Sequence, residues 1–273
     1  MNRDVENLHT AIRRYCWDRY IYWTENYSNL NDVGEGFSIE SGYSDKALAT
    51  YPRYNVLKAI LTEIERHHPT DFANLEEAKE FFILIAQQAQ DGFTNLSKSE
   101  IEQRAMSEER NLLCQYISQL NEKDLLTVEP LFYRYVLSKD ESDFVWEKLR
   151  ENWNVTERYW YPLTTWRRDD TEAFQDSYFE KEFGYEKLQD ILRKRGIIKL
   201  WEMRENDINY EIELNIFEPY YDGCEGFWCD SNFNWLIYAS HESSITFAGS
   251  ILSEIKSEWS NWQQRVWTSP FFN

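Results

Sequence analysis

Cysteine and histidine are scarce in this chain, and long apolar runs are missing. The 273 residues include four Cys and four His. Four cysteines are too few to form the disulfide framework of a chain this long, so a reducing, cytoplasmic compartment is expected. With no G-x-S-x-G elbow and so few histidines, the sequence argues against Ser-His-Asp catalysis. No G-x-G-x-x-G or Walker-type loop is present, and we expect no cofactor.

Membrane association is not expected either. No uninterrupted apolar stretch approaches the ~18–20 residues that a spanning helix needs. At the N-terminus, Arg3, Asp4 and Glu6 interrupt any run that could serve as a signal peptide.

Basic residues are outnumbered by acidic ones. The chain has 29 Lys and Arg against 48 Asp and Glu, a formal net charge of −19. Residues 1–125 carry 13 basic and 21 acidic groups (−8), and 126–273 carry 16 and 27 (−11). Such a surface repels nucleic acid and anionic membranes, and it favours a basic protein partner. The alternative is that the acidity serves solubility alone.

Apolar and aromatic residues are abundant enough for a folded core. Hydrophobic residues make up 42% of the chain and aromatic residues 17%, which predicts a globular protein. Ten of the twelve Trp follow residue 145, so the composition changes along the chain. We therefore predict a helical region over 1–125 and an α+β region over 126–273. One continuous globule remains the alternative.

The first region shows helical spacing of apolar residues. Helices are predicted over about 5–23, 54–67, 75–92 and 97–121. The last would begin at Ser97, which with Glu100 fits the spacing of a capping box. The polar stretch Asn26–Pro52 is predicted to be a long connection, and long connections are often functional.

The second region mixes both periodicities. After a strand over 131–137, Ser138 would cap a helix, and 159–163 would form an edge strand. Two further helices are predicted over 171–181 and 185–194. Four strands follow over 196–203, 210–217, 233–238 and 243–247, and one amphipathic helix would bury Trp259 and Trp262. The predicted fold class is α+β, with an antiparallel sheet covered by the C-terminal helix.

Potential chemistry is concentrated in two turns near the C-terminus. Carboxylates and a histidine there could perform acid–base catalysis or hold a metal ion, and the candidate catalytic set is Asp222, Glu225, His241 and Glu242. Zinc could take Cys224, Cys229 and His241, but a C-x4-C spacing without a fourth ligand does not favour this site. The competing interpretation is structural, because Asp and Gly are ordinary turn residues and His241 falls at a predicted hairpin tip.

One stretch resembles a known kind of protein. Gly226-Phe-Trp-Cys and Trp235–Gly249, followed by the Trp-bearing helix, resemble the C-terminal part of uncharacterised bacterial proteins. In size, acidity and layout these are similar to immunity proteins of polymorphic toxin systems. The resemblance implies a bacterial cytoplasmic binding protein and assigns no functional residue.

The sequence thus leads to two hypotheses. The first is an acidic, non-catalytic binding protein, an immunity-type partner of a basic toxin. Its contact residues would be polar, aromatic and acidic, namely Asp32, Glu35, Glu40, Tyr43, Tyr221, Asp222, Glu225 and Asp230. The second is a hydrolase or metal-dependent enzyme that uses the acidic residues and His241 near the C-terminal sheet.

Overall fold

The fold is α+β, as predicted, in a computed structural model that describes residues 3–95, 98–156 and 158–268. The chain divides into two compact units, the first ending at Leu131 and the second beginning at Phe132.

The first unit is helical apart from one small hairpin. Its elements are α1 (Arg3–Asp32), β1 (Phe37–Ser38), β2 (Gly42–Tyr43), α2 (Asp45–Ile64), α3 (Leu75–Gln88), α4 (Glu100–Gln119) and α5 (Glu122–Leu125). The apolar stripes of the long helices meet in one core, which includes Leu8, Ile12, Ile60, Phe82 and Leu113. These side chains recur at helical spacing because each helix buries only one face.

The predicted long connection over 26–52 is wrong. Helix α1 continues to Asp32 and α2 already begins at Asp45, so only a short segment with the hairpin joins them. Pro52 lies inside α2 and is buried. Proline removes one intrahelical hydrogen bond, which makes it a poor sequence signal for helix, but tertiary packing on both sides offsets that cost here.

Helix α4 begins later than predicted. Its N-cap is Ser99, whose side chain accepts from the backbone N–H of Glu102, while the Glu102 carboxylate accepts from the Ser99 N–H. The predicted cap Ser97 lies outside the described residues. A capping box is present, but it lies two residues later than predicted. The sequence offers two serines, Ser97 and Ser99, each followed three residues later by a glutamate.

The second unit is built on one antiparallel sheet. Its elements are β3 (Arg134–Val136), α6 (Lys139–Trp153), β4 (Thr171–Gln175), α7 (Asp176–Tyr178), α8 (Tyr185–Lys194), β5 (Lys199–Arg204), β6 (Tyr210–Glu213), β7 (Gly226–Cys229), β8 (Trp235–Ser240), β9 (Ser244–Gly249) and α9 (Leu252–Glu258). The seven strands β3 to β9 have the spatial order β3-β6-β5-β7-β8-β9-β4. Ser138 caps α6 as predicted.

Both faces of this sheet are buried, and successive residues of a strand alternate between them. In β8, Trp235 and Ile237 join the cluster that includes residues of α8 and α9, whereas Leu236 and Tyr238 join the cluster of α6. The sheet was predicted to have one covered face. Helix α6 supplies the second layer through Val145, Leu149 and Trp153.

Several local predictions in this unit are wrong. Residues 171–175 form the edge strand β4, paired with β9, where a helix was predicted. Residues 159–163 form a turn, closed by a 2.8 Å hydrogen bond from the Leu163 N–H to the Trp160 carbonyl, and not an edge strand. Residues 226–229 form strand β7, where the sequence predicts part of a turn. Strands β4 and β7 are stabilised by pairing with strands that are distant in the chain, whereas 159–163 pair with none of the described strands. Local preference therefore did not decide these three cases.

The closing helix is shorter than predicted. It ends at Glu258, and the chain continues through a 3₁₀ turn at Trp262–Gln264 to an isolated bridge between Val266 and Phe174. Trp259 is buried as predicted, with its ring centroid 5.1 Å from that of Phe174. Trp262 is only partly buried.

Gly249 ends β9 in a conformation that other residues rarely adopt. Its φ is +74°, and a Cβ atom there would lie 2.3 Å from the Asn234 carbonyl oxygen and 2.7 Å from the Trp153 ring. The left-handed backbone and the close approach of two packed groups both require glycine.

Candidate functional site

The predicted partner residues of the first unit lie on and beside the hairpin between α1 and α2. Glu40 is at the hairpin tip, Tyr43 is in β2, and Asp32 ends α1. Glu35 precedes the hairpin and pairs with Lys46 of α2. All four predicted side chains are exposed, so the structure leaves them accessible.

The hairpin also exposes apolar side chains. Ile39 at the tip is 97% exposed, Phe37 53% and Tyr43 47%, and Val33 lies just before them. The Phe37 and Tyr43 rings pack together with their centroids 5.0 Å apart, which fixes the two short strands against each other. A contiguous apolar group of this kind on a surface rich in charge is a feature of interaction sites.

From the hairpin, a continuous row of aromatic rings runs to the middle of α1. Neighbouring centroids in this row are 5.0–6.2 Å apart. We call it the aromatic row, and its members in order are Phe37, Tyr43, Tyr51, Tyr27, Tyr54, Tyr20 and Trp17. Three rings are exposed, Phe37 and Tyr43 at one end and Trp17 at the other, and the four rings between them are half-buried. Each ring is held by its neighbours, so the row presents a preformed surface.

A stripe of exposed polar residues runs along α1, and three of its five members are acidic. Residues at spacings of three and four share one side of a helix, and those of the stripe are Asp18, Tyr22, Glu25, Asn29 and Asp32. We call them the acidic stripe; all five are exposed. Its three carboxylates form no ion pair within the part of the chain that the structure describes. The same holds for Glu40 and for Asp45, the first residue of α2.

The basic residues of the same segment are all neutralised. Between residues 17 and 54 they are Arg19, Lys46 and Arg53. Lys46 pairs with Glu35, whereas both arginines bind the fully buried Glu109 of α4. Arg53 also pairs with Glu108. The surface around the aromatic row is therefore negative, since none of its cations is left without a carboxylate.

Glu109 is the organising group beneath this surface. Its carboxylate accepts two hydrogen bonds from Arg19 at 2.7 and 2.8 Å, one from Arg53 at 2.9 Å and one from the Trp23 indole at 3.1 Å. The Arg19 guanidinium has a raised pKa because of its bond to Glu109. A buried carboxylate with this number of donors joins α1, α2 and α4 and holds the row in place. Its partners lie 56 to 90 residues away along the chain, so no local motif could have identified it.

The predicted catalytic residues of the second unit lie at one end of the sheet. Glu225 directly precedes β7 and is 2% exposed. It accepts a 3.2 Å hydrogen bond from the His241 backbone N–H, and its Oε1 also meets His241 Nδ1. Glu242 Oε1 lies 3.6 Å from the other ring nitrogen, Nε2. The structure thus brings Glu225, His241 and Glu242 together, with the His241 side chain 48% exposed.

Asp222 is held at the same end of the sheet by an ion pair with Arg204. The buried guanidinium of Arg204, at the end of β5, pairs with Asp222. Gly226 leaves room for the Arg204 guanidinium, since a Cβ at residue 226 would lie 3.0 Å from Arg204 Nη1 and 2.4 Å from the Trp228 ring. The Tyr221 ring lies 6.3 Å from that of His241. These contacts fasten the 217–225 segment to the sheet.

One side of Glu225 remains unsatisfied. Its Oε2 and the Tyr238 hydroxyl are both buried, and neither has a hydrogen bond of good geometry within the described residues. Burial raises the pKa of Tyr238, and the nearby Glu225 carboxylate raises it further. Tyr238 therefore stays protonated, as a hydroxyl facing the interior next to a carboxylate.

The other predicted site residues of this unit are separated or buried. Asp230 is buried at the end of β7, where Oδ1 accepts a 3.1 Å bond from the Asn232 N–H and closes the turn. Cys229 is buried in the α6 cluster, and burial raises the pKa of its thiol well above the usual value. Among the residues that the structure describes, no group of three or more His, Cys, Asp or Glu is arranged to hold a metal ion, the set Cys224, Cys229 and His241 included.

Burial also changes the predicted contact set. Glu225 and Asp230 are buried and offer a partner little surface, whereas Tyr221 and Asp222 are exposed. The members of the set that can be contacted directly are the four in the first unit and these two.

Comparison of the chain with protein-family models, with curated proteins and with solved structures finds no match. Among the helices of the described residues, none is long and apolar enough to cross a membrane.

Proposed function

We propose that the chain is an acidic binding protein of the bacterial cytoplasm that captures a basic protein, as an immunity protein captures its toxin. The observation that carries this proposal is the negative, partly apolar surface around the α1–α2 hairpin. Along α1 and around the hairpin, five exposed carboxylates form no ion pair within the described residues, while every cation of the same segment is paired. The net charge of −19 adds a long-range field of the same sign.

Two physical effects support capture at this surface. Unpaired carboxylates steer a basic partner and increase the association rate. Exposed apolar groups such as Ile39 and Phe37 supply the close contacts that slow dissociation. A surface that served solubility alone would not need this apolar group.

The test is kinetic. The immobilised chain should retain a basic protein from an extract of its source organism, and the purified partner should then be measured by surface plasmon resonance. We expect association to slow steeply with salt, because charges are screened beyond ~8 Å at physiological ionic strength. Dissociation should change much less.

Charge reversal locates the surface. Glu40→Lys and Asp32→Lys should each lower the association rate, whereas Glu80→Lys, the same charge change on α3 outside the stripe and the row, should lower it less. Glu225 is unsuitable for this test because it is buried. An association rate that ignores both salt and these reversals would leave acidity as a solubility feature only.

The Glu225–His241 pair favours a second candidate function, water activation in a hydrolase. A carboxylate that accepts from Nδ1 orients the ring and leaves Nε2 as a base on the exposed side. Hydrolysis of p-nitrophenyl esters or phosphodiesters, lost in His241→Gln and retained in His67→Gln, would support this function. Equal background rates in all three proteins would remove it.

A further inference from the structure

The aromatic row has properties that acidity alone does not explain. An acidic surface attracts any cation, whereas seven neighbouring rings would be costly to leave partly exposed without a ligand. Trp17, at the end away from the hairpin, is 46% exposed, and its ring stacks on Tyr20 with an angle of 14° between the planes. Tyr43 and Phe37 are equally open at the other end.

The molecule already uses its aromatic rings to bind guanidinium groups. Beneath the row, the Arg53 guanidinium lies 4.8 Å from the centroid of the Trp23 ring, and Arg19 lies 6.0 Å from the same ring on its way to Glu109. A guanidinium is planar and weakly hydrated, so it can stack on an aromatic face and pair with a carboxylate together. The exposed rings and the unpaired carboxylates next to them in the chain offer the same two components to an external cation.

We propose that the exposed rings of the aromatic row and the unpaired carboxylates next to them in the chain bind an arginine-rich, extended segment of the basic partner. Guanidinium groups stack on Trp17, Tyr43 and Phe37, and the carboxylates of Asp18, Glu40 and Asp45 pair with them. This inference rests on the proposed function and adds the chemistry of the recognised segment.

The geometry distinguishes this ligand from other classes. Nucleic acid would stack its bases on the rings, but its phosphates would meet the unpaired carboxylates. A lysine-rich segment would pair with the carboxylates but would gain less from the rings, because an ammonium group is compact and strongly hydrated. Preference for arginine over lysine at equal charge is therefore the decisive property.

The experiment uses the full chain and two fluorescein-labelled peptides, one alternating arginine with serine and one alternating lysine with serine. Binding is followed by fluorescence anisotropy at low salt. We expect the arginine peptide to bind several-fold more tightly. Trp17→Ala and Tyr43→Ala should each weaken arginine-peptide binding about two- to fivefold, the range of one exposed cation–π contact. They should affect the lysine peptide less.

The control is Phe93→Ala, which removes a phenylalanine that is 63% exposed in the same unit but lies outside the row. It should leave both affinities unchanged. Circular dichroism melts of all variants show whether the first unit remains folded, and Tyr43→Phe, which keeps the ring, should retain affinity even where Tyr43→Ala proves unstable.

The outcomes separate this inference from the proposed function. Equal affinity for the two peptides, no binding of either, or aromatic variants that bind like the parent would each overturn the inference. The proposed function is measured independently, by the salt and charge dependence of capture of the natural partner. It would survive these results as purely electrostatic recognition.

Discussion

Replacement of Glu109 by glutamine should destabilise the first unit more than any other change of one charge there. The carboxylate is fully buried and accepts bonds from Arg19, Arg53 and Trp23. Glutamine has the same shape but carries no charge, and its NH₂ group would face donors. Two guanidinium groups would then lose the counter-charge they share between α1, α2 and α4.

The magnitude follows from the burial of the partners. Breaking a buried ion pair by removing one member costs about 3–5 kcal/mol. The Arg19 side chain is 29% exposed and Arg53, at 14%, keeps its pair with Glu108, so water and the second carboxylate compensate in part. We therefore expect a loss near the lower end, about 3 kcal/mol.

Hydrogen exchange of the full chain, read by mass spectrometry, measures this loss locally. Peptides from α1, α2 and α4 should exchange roughly 100-fold faster in Glu109→Gln, as that free energy requires. Peptides from β8 and β9 report on the other unit in the same sample.

The matched control is the neighbouring residue. Glu108 also binds Arg53, but its side chain is 46% exposed, so Glu108→Gln should cost less than about 1 kcal/mol. Equal exchange rates in the two variants would refute the special role of Glu109. In that case the buried network would be replaceable by water or by rearranged side chains.

Three further predictions concern the packing and the pH dependence of stability. Gly249→Ala should lower the free energy of unfolding by about 2–4 kcal/mol in thermal or urea unfolding, because it combines backbone strain with a steric clash. Gly196 has φ +78° and open space around it, so Gly196→Ala should show the strain alone. Equal losses of stability in the two variants would disprove the clash. Trp259→Ala should cost about 3–5 kcal/mol through the cavity it leaves, and a smaller loss than for the partly buried Trp262→Ala would contradict the core packing. Burial lowers the pKa of His9 from 6.5 to about 4, so the unfolded chain takes up the proton first and stability should fall as the pH drops from 6.5 toward 4. By pH 5 the loss should be about 2 kcal/mol, and His9→Gln should show no such loss in urea titrations at pH 7 and 5.

Strongly periodic segments were predictable from the sequence. The stripes of α3 and α8 and the cap of α6 at Ser138 have their signals within one or two turns of helix. The same applies to β5, β6, β8 and β9, which are short segments rich in apolar residues; β6 also alternates, with Tyr210 and Ile212 buried and Glu211 and Glu213 only partly so. The α+β class follows from these elements.

Elements whose hydrogen bonds come from distant residues were not predictable. Strand β4 exists because β9 offers it an edge, and β7 because it lies between β5 and β8. The extension of α1 to Asp32 and the tolerance of Pro52 in α2 depend on mutual packing that no local window contains.

Some features of the candidate sites follow from the sequence, and others follow only from the fold. The sequence by itself determined that the surface is acidic and that the residues around the hairpin are polar and aromatic, because charge and residue type are properties of composition. Only the tertiary structure decided which carboxylates remain unpaired. It buried Glu225 and Asp230, and it placed Glu109 beneath Arg19 and Arg53. Pairing and burial depend on distances between residues far apart in the chain, and those distances exist only in the folded protein.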